Sequence, residues 1–177
     1  MKSKKLFLSI FIIFSLVFYN FLTGVVRATS LTDTVTATVT AQNISVSVDN
    51  VSIAFGTIST SDTKDTTTGA KGVDDSSIAT NDGNITEKFN IMAGASTNWT
   101  LGATAGSETY TMKSCVATCD TSPTWTSVGI DPAYATLAAS VAKDGTQEFD
   151  LQVGTPTSTA SYGQQTITIT VQATTPS

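Results

Sequence analysis

The chain has 177 residues, 40% of them hydrophobic and 13% charged, with a formal net charge of −5 and no histidine. A negative balance opposes phosphate backbones and so argues against nucleic acid, and the missing histidine removes Ser-His-Asp and Cys-His nucleophiles and histidine zinc sites. The length suits one domain with a sizeable core, behind whatever the N-terminus encodes.

Lys2, Lys4 and Lys5 precede an apolar run from Leu6 to about Phe18, and Val26-Arg27-Ala28 ends the stretch with small residues at the −3 and −1 positions. This reads as a Sec signal peptide over residues 1–28, cleaved after Ala28, with a secreted domain over 29–177. An uncleaved anchor lengthened by Phe21 to Val26 is the competing reading. Cleavage removes Lys2, Lys4, Lys5 and Arg27, leaving five basic against fourteen acidic side chains, a net charge of −9.

From Thr32 to Ala41 threonines alternate with Val35, Ala37, Val39 and Ala41, which predicts a strand with a thin apolar face. Ile44, Val46 and Val48 predict a second strand; Val51, Ile53 and Phe55 a third, stopped by Gly56. Thr57 to Asn84 is polar, with room for an edge strand, and Asn81-Asp82-Gly83-Asn84 is a turn signal. Alternation resumes from Ile85 through Phe89 and Ile91, then at Trp99 and Leu101, and again at Tyr110 and Met112. Ala135 to Val141 reads as either a helical turn or a strand. Phe149, Leu151 and Val153, then Ile167, Ile169 and Val171, form the closing pair of strands. Many short strands with turns between them predict an all-β fold: a single antiparallel β-sandwich, immunoglobulin-like or jelly-roll-like.

No nucleotide or hydrolase motif occurs, and nothing in the spacing of Asp131, Glu148 and Asp150 selects a catalytic pair. The expectation is a protein that is not an enzyme. Cys115 and Cys119 are open to three readings: free thiols, half of a metal site, or a local disulfide. Export favours the disulfide. No cofactor is expected; among metals, calcium is the one whose oxygen ligands are present, on Asp74, Asp75, Asn81, Asp82 and Asn84, although in no EF-hand order. Trp99 reads as core. Trp125 and Tyr134 lie in loop-like sequence, as loop anchors or as flat surfaces for a glycan ring. Asn43, Asn50, Asn84 and Asn98 head N-x-[ST] sequons.

Val51-Ser-Ile-Ala-Phe-Gly, Asn98-Trp99-Thr100-Leu101 and the closing Tyr162 to Val171 stretch together resemble the layout of WxL-type bacterial surface domains. Where that family carries a second Trp-x-Leu, this chain has Ile167-Thr168-Ile169. A signal peptide followed directly by a Thr-rich β-domain is also similar to camelysin-like biofilm fibre subunits. The first resemblance implies non-covalent attachment to the cell wall, the second a structural fibre. Two functions are therefore expected in competition: a subunit that self-associates on the cell surface or in the extracellular matrix, and a carbohydrate or cell-wall binding module. For the first, Leu31 to Ala41 is the natural joining segment, since it carries neither the Lys nor the Pro that usually protects an edge strand.

Overall fold

The computed structural model describes residues 33–176, so the expected signal peptide lies outside the described residues. Two compact units are distinguished, Met1–Val39 and Thr40–Ser177. Of the first, residues 33–39 are described; they form no strand and are exposed throughout.

The second unit is all-β, with no helix among the described residues. Its strands are β1 (Val46–Val48), β2 (Thr63–Asp65), β3 (Ser77–Asn81), β4 (Glu87–Ala93), β5 (Thr100–Leu101) and β6 (Thr109–Cys115). They continue as β7 (Thr126–Ser127), β8 (Gly129–Ile130), β9 (Ala135–Val141), β10 (Thr146–Gly154) and β11 (Ile169–Thr174). One sheet runs β1-β3-β10-β6-β5, with β2 also on β10 and β7 on β6; the other runs β11-β4-β8, with β9 also on β4. Ala135 to Val141 is thus a strand. Its alternation buries Leu137 and Val141, and the β4 ladder satisfies its main chain.

Both sheets are mixed, which corrects the wholly antiparallel expectation. β5 pairs β6 in parallel, and β8 pairs β4 in parallel. The second pairing arises where the chain changes sheets: β7 lies on β6, and two residues later β8 lies on β4. Val128, at the crossing, is buried and donates its N–H to Met112 O at 3.2 Å. A strand that switches sheets cannot keep one direction relative to both.

Period-two burial builds the core. Glu87, Phe89, Ile91 and Ala93 point inward along β4, as do Phe149, Leu151 and Val153 on β10. All but Glu87 join Ala79, Tyr110, Met112, Leu137 and Val141 in one apolar cluster drawn from both sheets. Each large side chain so removed from water contributes about 1.5–3 kcal/mol. Tyr110 is buried and donates its hydroxyl to Gly94 O, joining β6 to the end of β4; burial pushes its phenol up to about 12. Cys115 and Cys119 are joined as a disulfide, Cα atoms 5.9 Å apart, at the end of β6. So small a loop contributes roughly 2 kcal/mol on the chain-entropy account.

The polar stretch from Thr57 to Asn84 supplies β2 and β3, which lie on successive parts of β10. Thr66 bridges the gap between them. Its N–H donates to Leu151 O and its hydroxyl accepts the Leu151 N–H, both at 2.9 Å, while donating to Asp150 Oδ1 at 2.6 Å. Asp150 is buried, and burial raises its pKa above the ordinary aspartate value; the Thr66 hydroxyl opposes the rise, and Asp120, Glu148 and Asp65 add to it. A raised folded pKa means that the folded state holds the proton more tightly than the unfolded chain. This group's stabilisation is therefore full below the unfolded value and is lost as pH rises through the folded one. Asp150→Asn, which keeps an acceptor for Thr66, is expected to be more stable than the parent at neutral pH. Urea midpoints from pH 3 to 7 should fall less steeply for the variant.

Candidate functional site

The strand predicted over Thr32 to Ala41 is not formed. Asp33 to Ala41 is exposed throughout, with Val35 94% and Val39 96% exposed. Val and Ala offer too little area to fix a strand with no neighbour to complete its ladder.

The chain is gripped just beyond this segment. Asn84 accepts the Asn43 N–H at 2.8 Å and donates its side-chain amide to Ala41 O at 2.7 Å. Ser45 donates its N–H to Glu87 Oε1 at 2.9 Å, and Asp82 donates its own to Ser45 O at 2.9 Å. The turn between β3 and β4 therefore anchors residues 41–45, and β1 follows at Val46.

The third predicted strand, Val51 to Phe55, is not formed either. Ile53 and Phe55 alternate inward and are half-buried, but no main-chain-to-main-chain hydrogen bond is made from Val51 to Thr60. The same is true from Thr159 to Ile167, so the closing strand begins at Ile169, two residues later than predicted. Periodicity places side chains; a strand also needs a partner, and these segments lack one. They flank a cleft of about 770 Å³, whose apolar wall includes Ile53, Phe55, Ile58, Trp99 and Ile167 and whose lining contains no charged residue.

Polar contacts fix the walls. Trp99 donates its indole N–H to Thr159 Oγ1 at 3.0 Å, and that hydroxyl donates to Glu108 Oε2 at 2.7 Å. Glu108 also accepts the Ala160 N–H; the Thr159 hydroxyl first, and this N–H second, hold its carboxyl below the usual range. Gln165 Oε1 accepts from the Ser96 hydroxyl at 2.8 Å and the Asn98 N–H at 3.2 Å. On the facing segment, Lys64 donates to Phe55 O at 2.9 Å and Thr155 to Ser59 O at 2.6 Å. The cleft walls are therefore braced by side chains and not by a main-chain ladder.

Comparisons with protein families, with curated proteins and with solved structures find no match to the chain.

The residues named from sequence fall elsewhere. Trp125 and Tyr134 are half-buried beside β7 and β9, and neither lines the cleft. The aromatic residues of the cleft are Phe55, Trp99, which also packs against the core as read from sequence, and Tyr162, which is 83% exposed. The signal that would have found them is the uncharged, Gly- and Gln-containing run after Trp99's partner Thr159. Nor are the five calcium candidates brought together as ligands. Asp75 accepts the Asn50 amide at 2.6 Å, Asn84 clamps the N-terminal segment, and Asn81 is buried as a hydrogen-bond hub. Among the described residues no group of three His, Cys, Asp or Glu side chains is placed to hold a metal.

Proposed function

We propose that the protein is a secreted, non-enzymatic structural subunit of a cell surface or extracellular matrix, and that its copies join by strand addition. On this reading the two sheets close as a β-sandwich that lacks one strand. The missing strand is supplied by residues 33–41 of a neighbouring copy. The observation that carries the proposal is the match between two incomplete parts. One is an extended segment with alternating, exposed Val and Ala; the other is a cleft whose flanking segments make no main-chain-to-main-chain hydrogen bond. An added strand gains main-chain hydrogen bonds along its length and places alternate side chains in the cleft.

Electrostatics favours the same pairing. Copies of a net-negative chain repel, yet beyond Asp33 the segment to Ala41 is free of charge, as is the cleft lining. The resemblance to camelysin-like fibre subunits agrees with this reading, whereas the WxL-type resemblance implies attachment to the cell wall. The carbohydrate-binding alternative draws less support, because Trp125 and Tyr134 are each half-buried and apart from the cleft.

Deletion of residues 29–41 tests the proposal. Full-length secreted protein is expected to form concentration-dependent polymers visible by electron microscopy, and the deletion variant to stay folded and monomeric. Polymers that persist after deletion would show that the segment is not the joint. A full-length protein that stays monomeric at high concentration would end the proposal.

A further inference from the structure

β11 is an edge strand. It pairs β4 alone, and among the described residues no strand lies on its other edge; β1, the edge of the facing sheet, pairs β3 alone. The direction of each main-chain group follows from the register. Gly94 donates its N–H to Thr168 O at 3.0 Å, so that pair is hydrogen-bonded, and antiparallel pairs alternate from there. Thr170, Gln172 and Thr174 therefore face β4, while Ile169, Val171 and Ala173 face away. The far side of β4 agrees: Ala93, opposite Ile169, turns its carbonyl to the Asp131 N–H just after β8. No turn or loop bond of the described residues uses the outward groups of β11.

The side chains of the same residues are incompletely covered. Ile167, Ile169, Val171 and Ala173 pack against the core but are only partly buried. Phe89, Ile91 and Ala93 on β4, which has a strand on either side, are wholly buried. Edge strands are commonly guarded by Lys, Pro, a bulge or a covering segment. Ile169–Thr174 contains no charge, Pro or Gly, and its ladder with β4 runs without a shift. Ile167 also belongs to the cleft wall, so the open edge continues that wall.

We infer that residues 33–41 of a neighbouring copy pair with the outer edge of β11, an inference that rests on the strand-addition reading and says where the added strand lies. The strand takes the outward N–H and C=O groups of Ile169, Val171 and Ala173, and its Val and Ala side chains cover the partly buried ones of β11. Donor and acceptor are different surfaces of one chain. The contact is therefore heterologous, and it propagates as a ring or filament where a self-complementary contact would stop at a dimer.

Proline substitution along β11 tests this. Val171→Pro removes an outward N–H and spares the β4 ladder, a place where edge strands accept Pro. The variant should fold as a monomer, and the concentration needed for polymers should rise about tenfold or more, the scale of one lost main-chain hydrogen bond and an obstructed approach. Gln172→Pro, which removes an N–H bonded to β4, should instead lose stability. A folded Val171→Pro that polymerises like the parent would overturn the inference; if deletion of residues 29–41 still abolishes polymers, strand addition stands with another acceptor. A parent that never polymerises ends both. Should Val171→Pro fail to fold, hydrogen exchange of the parent decides. Amides of Ile169, Val171 and Ala173 should exchange fast in the monomer and slowly in the polymer, and those of Thr170 and Gln172 slowly in both. Exchange of the three that does not change on assembly would place the joint elsewhere. The same slowing in polymers of the deletion variant would mean that a different strand occupies β11, and would also overturn the inference.

Discussion

Replacing Phe89 by alanine is expected to destabilise the domain by about 3–5 kcal/mol, the cost of truncating a fully buried aromatic side chain. Phe89 is fully buried in the middle of β4, which pairs β11 on one side and β9 on the other. Its neighbour Ile91 is held by the same two ladders and Ala93 by β11 and β8, so the cavity has little freedom to collapse. Against a total stability of about 5–15 kcal/mol for a typical domain, such a loss is a large fraction of the whole. Urea unfolding followed by tryptophan fluorescence will measure it. A loss below about 1 kcal/mol would mean that β4 is not the centre of the core.

Asn81→Ala is expected to cost about 3 kcal/mol or more, because three groups lose a partner and each buried, unsatisfied one costs about 1–3 kcal/mol. The Asn81 side-chain amide donates to Ile85 O at 2.8 Å and to Val141 O at 2.9 Å, and its carbonyl accepts the Gly83 N–H at 2.9 Å. These bonds shape the β3–β4 turn and link it to the end of β9. Asp82→Asn, one residue along and exposed, should change stability by less than about 0.5 kcal/mol. Thermal unfolding of the two variants side by side checks the contrast, and similar losses in both would contradict the hub role.

How far the fold was legible in the sequence depended on whether an alternating segment finds a ladder partner. The alternations at Phe149, Leu151 and Val153 and at Phe89 and Ile91 belong to central strands, and these form where the pattern places them. Val35 to Ala41 and Ile53 to Phe55 alternate as regularly and form none, because period two describes side chains and says nothing of a ladder partner. The switch of sheets at Val128 was invisible for a related reason: it depends on which strands lie beside β7 and β8, far away in sequence. The Thr66 bridge to Leu151 spans 85 residues, and neither residue type announces it.

The candidate site was legible only in part. The N-terminal segment that we propose as the joining strand stands out by composition, since it carries neither Lys nor Pro. Its acceptor does not. Trp99 has the spacing of a core residue, and only the bond from its indole to Thr159 turns it into a cleft wall. Asn81 carried the polar chemistry of a turn or of a ligand, and burial is what separates its structural role from that of exposed Asp82. Glu87 shares the two-residue spacing of Phe89 and Ile91 and is buried with them, although its side chain is acidic.

Cross-linking between two variants, each with one cysteine added to the Cys115–Cys119 disulfide, tests strand addition most directly. Val39→Cys places a thiol on the exposed segment and Ile167→Cys places one in the cleft wall. Under mild oxidation, a mixture of the two variants is expected to give a reducible dimer containing one copy of each, while each variant alone gives little. No mixed dimer at concentrations where the parent protein polymerises would contradict the account.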